Sequence, residues 1–336
     1  MHRIPSLQCV CLAMVLGSLG TTTVAGQVQK TAARAPGAWI LQRTPDGQPD
    51  LQGTWTNGTL TPFERPAALG TKAFLTEEEA ALQERQAAER RANTVRRPGD
   101  VGNDNEAFVD TGYKITSTRQ TSLVVDPPDG RIQFLPEAEK RRELNLANVD
   151  SYETLSPWDR CITRGPTGLF PAAYNNGYQI IQTPTHVVIV SEMIHEARII
   201  PIDGRPHASA SVRSWTGDSR GRWDGTTLVV DTTNFHDRGW ITTHAGSGRL
   251  RGTPHSEALH LVERFTRVSA DTIHYTMTID DPKVYAKPWT VSIPFTRDDT
   301  YRIFEYACHE GNRAIELILG GARVLEKEKA AAAANK

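Results

Sequence analysis

The feature that most limits the fold is a succession of strand-length segments in the second half of the chain. From Tyr178 onward come YQIIQT, HVVIVSEM, HEARIIPI, TTLVVDTTNF, ALHLVERFTRV, TIHYTMTID, WTVSIPF and RIFEYAC, eight stretches rich in Val, Ile, Thr and aromatic residues. Tight-turn signals such as Thr183-Pro184 and Trp223-Asp224-Gly225 separate several of them. Short connections favour antiparallel neighbours, because parallel pairs need long crossovers. An open sheet of this size leaves edges to protect. The pattern therefore predicts a mainly β fold: an antiparallel meander of eight or more strands closing into a barrel, with peripheral helices. A β-propeller would need a blade-length repeat, and the sequence has none.

Upstream, LQGTWTNG reads as a short strand. Thr76 is placed to cap a helix over residues 75–95, which has acids in its first turn and arginines later. Its apolar face is mostly alanine, which puts it on the outside. RQTSLVVDPPDGRIQFL reads as a strand pair turning at Asp126-Pro-Pro-Asp-Gly, and Pro136 opens a second helix over 136–147. Residues 26–50 lack periodicity and read as a flexible arm. Residues 51–325 are expected as a single barrel domain, and 326–336 as a disordered tail.

The N-terminus carries Arg3, a short apolar run, CLAMVLGSLG, and small residues before a cut after Ala25. This predicts a secretory signal peptide over residues 1–25, and hence a periplasmic or extracellular protein. Lipid attachment at Cys9 or Cys11 would need a cysteine at the end of the apolar run, and both lie near its start. No later run is long enough to span a bilayer. Cleavage would remove Arg3 and no acid, so 38 basic residues become 37 against 39 acidic ones. That balance argues against nucleic acid or an anionic membrane as partner. Of four cysteines, Cys161 and Cys308 remain, and an oxidising compartment favours a disulfide between them over two buried thiols or a catalytic thiolate.

Ionisable residues sit inside the strand pattern. In ALHLVERFTRV, Glu263 shares a face with Leu259, Leu261 and Phe265; in TTLVVDTTNF, Asp231 shares one with Val229 and Phe235. In HEARIIPI both faces are mixed. A barrel lumen holds charges only if they pair with each other or with a ligand. The candidates for a cluster in the lumen or at its mouth are His195, Glu196, Arg198, His207, Asp231, Glu263, His309 and Glu310. Imidazoles and carboxylates suit proton transfer near neutral pH, and a divalent metal at His195, His207 and His309 is a minor option; no other cofactor is expected. The bland alternative is a structural ion network across strands. His186, His260 and His274 read as cross-strand surface residues, and His244 and His255 as part of a Gly-rich loop.

Familiar motifs fail. HEARI begins like a zinc-protease helix but has Ile199 where the second histidine belongs. GDSRG has Arg220 where a trypsin-like nucleophile loop has glycine, and reads as a turn before a strand starting near Arg222. Asn57-Gly-Thr is a glycosylation sequon. Gly53, Thr54 and Trp55 are similar to the G-x-W that opens the first strand of lipocalins, which implies an up-and-down barrel holding a small apolar ligand; the helices that follow depart from that order. From about Pro49 to Ala322 the chain resembles a family of exported soil-bacterial proteins, on PDLQGTW, YNNGYQI, EMIHEARIIPIDGRPH, GDSRGRWDGTTLVVDTTNF and YACHEGN. That resemblance implies export and shared architecture and assigns no catalytic roles.

Three functions remain open. An exported lyase, hydrolase or isomerase would act on a hydrophobic or phenolic molecule in the barrel, with His195 or His309 as base, Glu263 as acid and Arg198 stabilising an anion. Asn175, Asn176 and Tyr178 would orient the substrate, with Glu196, His207, Asp231, Tyr275, Trp289 and Glu310 lining the site. A lipocalin-type carrier would need an open lumen lined by Trp289, Ile293, Tyr275 and Met277. A structural exported domain needs neither.

Overall fold

The computed structural model describes residues 39–92, 112–243 and 245–334; the expected signal peptide and His244 lie outside them. Ten strands form one sheet: β1 (Gly53–Thr56), β2 (Val124–Asp126), β3 (Gly177–Gln182), β4 (His186–Ser191), β5 (Ala197–Pro201), β6 (Asp218–Asp224), β7 (Thr227–Thr233), β8 (His260–Arg267), β9 (Thr272–Asp280) and β10 (Trp289–Arg297). Among the described residues three helices lie at the periphery: α1 (Glu77–Ala92), α2 (Pro136–Ala147) and α3 (Ala314–Ala334). α1 starts on a reciprocal cap, with Thr76 Oγ1 accepting from the Glu79 amide and the Glu79 carboxylate accepting from the Thr76 amide.

The strand order is β5-β4-β3-β1-β10-β9-β8-β7-β6, with β2 pairing to β10 off this path. Followed around the wall, this is an up-and-down meander that β1 joins in the middle: Trp55 faces Tyr178 of β3 and Arg297 of β10. Every paired neighbour is antiparallel. Nine strands lie on the path, so β5 and β6 at its two ends run in the same direction. Such neighbours cannot be joined by a hairpin, and their connection takes residues 202–217. β5 and β6 lie side by side without a backbone ladder. The barrel is nearly closed, with one seam.

Alternation fills the inside. Leu261, Glu263 and Phe265 of β8, Ile273, Tyr275, Met277 and Ile279 of β9, and Trp289, Val291, Ile293 and Phe295 of β10 are all buried. Trp55, Tyr178, Ile180, Ile189, Ile200 and Val230 close the rest of the core.

Several expectations need correction. RIFEYAC is not a strand: its Phe304 amide is taken by a Glu192 oxygen, and Cys308 is tied into a disulfide. The hairpin at Asp126 does not form; Val124–Asp126 pairs with β10, while the Ile132 amide donates to the Glu64 side chain. GDSRG is strand rather than turn, because β6 pairs with β7 from Asp218 onward. Residues 39–50 are tied down: Arg43 bridges Pro49, and the Gln48 side chain donates through Nε2 to the Thr183 and Pro184 carbonyls. The expected tail is helical as far as Ala334, as its run of Ala, Glu and Lys favours.

Candidate functional site

The ionisable residues sort into three groups. The first lies in the lumen. Arg198, pointing inward from β5 beside Ile200, makes a bidentate pair with Glu263 of β8, Nη1 to Oε1 at 3.0 Å and Nη2 to Oε2 at 2.6 Å. Nη2 also donates to Ser219 Oγ of β6, and Tyr275 Oη donates to Glu263 Oε1 at 3.0 Å. Burial works against the guanidinium charge, but Glu263 outweighs it and holds Arg198 above its ordinary pKa. Burial, then the Glu263 charge, pushes the Tyr275 hydroxyl well up. The pair spans the seam, since Arg198 reaches from β5 to β6 and β8.

The space around this pair is filled. Tyr178 stacks on Phe295 at 5.4 Å, and Tyr275 lies 4.7 Å from Phe265 and 5.2 Å from Phe295. Trp289, Met277 and Ile293, named above as the lining of an open lumen, are packed within it.

The second group is a chain on the outer wall. His207 Nδ1 lies 2.9 Å from Asp218, its Nε2 lies 2.9 Å from Asp231, and His260 Nε2 lies 2.7 Å from the other Asp231 oxygen. Arg220 closes the chain on Asp218 at 2.7 Å. Partial burial raises the Asp231 pKa, but hydrogen bonds from His260 and His207 outweigh it and hold the carboxyl below its ordinary value. The chain straps the β5–β6 connection to the wall, since the Ala208 amide also donates to Asp218.

The third group surrounds the barrel mouth, where YNNGYQI, EMIHEARI and YACHEGN meet. Glu192, at the end of β4, is fully buried and accepts from Asn175 Nδ2, Tyr301 Oη and the Phe304 amide. Gly177 makes room for it: a Cβ there would lie 2.6 Å from Glu192 Oε2. His195 Nδ1 meets the Tyr306 carbonyl at 2.8 Å, and the Tyr306 ring stacks on Tyr174. Cys161 and Cys308 are bonded, their Cα atoms 5.7 Å apart. Cys161, Asn175, Ile194 and His195 all have positive φ, so left-handed backbone gathers here. Residues 301–308 thus form a strap pinned by Glu192, His195 and the disulfide, and between it and residues 158–159 lies a cleft of about 400 Å³ lined by Trp158, Asp159, Glu305, Tyr306, Glu310 and Asn312.

The remaining candidates fall around these groups. Glu196 accepts from Thr163 Oγ1, and burial raises its pKa. Asn176 brackets the Ala172 backbone, and Asn57, the sequon residue, is buried with its amide on the Leu169 carbonyl. His309 and Glu310 sit in the turn after Cys308, exposed. His195 rests on the Tyr306 carbonyl at the mouth, whereas His207 lies between Asp218 and Asp231 on the outer wall, so the two imidazoles belong to different groups. Among the described residues no group of His, Cys, Asp and Glu is arranged to hold a metal ion, and no helix is long and apolar enough to cross a membrane. Glu192 was missed by sequence reasoning. Its signal was an acid closing an alternating strand just before residues that break the pattern.

Comparison with protein-family models, curated proteins and solved structures finds no match to the chain.

Proposed function

We propose that the protein is an exported small-ligand-binding domain that takes an aromatic molecule bearing hydrogen-bond donors, a phenol or an aromatic amine, in the mouth cleft. One observation carries this reading: the lumen is filled, while a ligand-sized cleft outside it sets Trp158 and Tyr306 beside Asp159, Glu305 and Glu310. The aromatic side chains offer faces for stacking, and the carboxylates accept from hydroxyl or amine donors. The volume suits a small molecule. Export is supported by the expected leader and by the disulfide, which persists in oxidising compartments.

Catalysis by His195 and Glu263 is less well supported. Both Glu263 oxygens are engaged in a filled core, whereas His195 lies against the strap. A general acid and base must reach the same bound molecule.

Calorimetric titration with catechol and with tyramine tests the proposal. Saturable binding of at least one is expected, weakened about tenfold by Trp158→Ala through loss of stacking, with the melting temperature of the free protein unchanged. Binding by neither, equal binding by the variant, or chemical conversion of the ligand would overturn it.

A further inference from the structure

We propose a second site, independent of the mouth cleft, that binds a small organic anion between α2, residues 153–160 and the β7–β8 connection. A cleft of about 460 Å³ opens there, and Arg141, Arg160 and Arg238 all line it. Arg160 is held in place: Nη1 donates to the Glu153 carbonyl, and the guanidinium lies over the rings of Tyr152 and Trp215. The guanidiniums of Arg141 and Arg238 make no hydrogen bond or ion pair among the described residues. Arg213, Arg220, Arg264 and Arg313 behave differently, each pairing with a carboxylate. Glu153 and Asp237 also line the cleft, yet neither forms an ion pair with the three arginines.

Two guanidiniums without partners beside a third held rigid are placed to receive an oxyanion, which each can bind through paired N–H donors. Three guanidiniums against two carboxylates leave a net positive charge in the cleft, which a bound anion offsets. Trp240 and Leu155, both largely buried, supply the apolar part of its lining. Beneath Gly239 lies His255, so close that a Cβ on the glycine would fall 2.0 Å from its Nε2. Burial pushes this imidazole down to about 4, which keeps it neutral and leaves the positive charge to the arginines. The ligand class is therefore a carboxylate or phosphate head on an apolar body.

Titration of the disulfide-bonded protein with benzoate, phenyl phosphate and inorganic phosphate, at low and physiological ionic strength, tests the site. One of the organic anions is expected to bind saturably, more weakly in higher salt, and about tenfold more weakly for each guanidinium removed in Arg141→Gln and Arg238→Gln. The tighter of the two identifies the head group. Inorganic phosphate binding as tightly as phenyl phosphate would overturn the role of Trp240 and Leu155. Absence of saturable binding by all three, or unchanged affinity in the double variant, would overturn the site itself.

Discussion

At β1 and β10 the wall is joined by backbone, Trp55 pairing with Arg297 and Thr56 with Thr296; at β5 and β6 it is joined by side chains. There Arg198 reaches across to Ser219 and Glu263, and Gly221 brings β6 against Ile200 and Ile202. Strand parity explains the difference. With nine antiparallel strands on the path, one junction must set two strands in the same direction, and it falls at β5 and β6. Charge appears where the backbone ladder stops. A buried ion pair adds little net stability over apolar packing, but removing one partner leaves an unpaired charge and is expensive. Such a pair acts as a rivet across the seam.

The largest expected effect on this contrast comes from Arg198→Met, which strands Glu263 without its cation. A loss of about 3–5 kcal/mol is expected by urea unfolding, with faster hydrogen exchange on β5 and β6 while β1 and β10 keep their protection. Equal loosening of both junctions would break the contrast. Acid tests the packing beside the β7–β8 connection, where His255 titrates near 4 when folded against an ordinary 6.5. Below pH 6.5 the unfolded chain takes up a proton that the folded protein refuses. Stability therefore falls as pH drops from 6.5 to 4, by roughly 3 kcal/mol, and His255→Asn should flatten that part of the profile. A smaller effect is expected for Gly221→Val, whose Cβ would meet Ile202 Cγ2 at 2.6 Å. Overpacking there should cost about 1–3 kcal/mol; a melting temperature unchanged by this variant would mean that the seam is loose.

The barrel was legible because a period of two with one buried face leaves a clear trace, and Glu263 was correctly grouped with Leu261 and Phe265. Arg198 was harder. β5 borders the seam, and its outer face carries the exposed apolar Ile199, so neither face looked like the inside. The first half of β6 was read as a turn, with a strand starting only near Arg222, because DSRG has few β-formers; pairing with β7 from Asp218 and the fit of Gly221 make it strand. RIFEYAC shows the converse, strong β propensity overridden by Glu192 and the disulfide. Of the mouth cleft only Glu310 was named beforehand; Trp158 and Glu305, like Arg141 and Arg238, are far apart in sequence and come to line one cleft only through the fold.

The most direct test of the rivet is equilibrium unfolding of Arg198→Met, Glu263→Leu and the double variant. Each single substitution should lose about 3–5 kcal/mol, and the double variant should be more stable than either, because it leaves no unpaired charge. Single losses within about 0.5 kcal/mol of zero that simply add in the double variant would contradict the account.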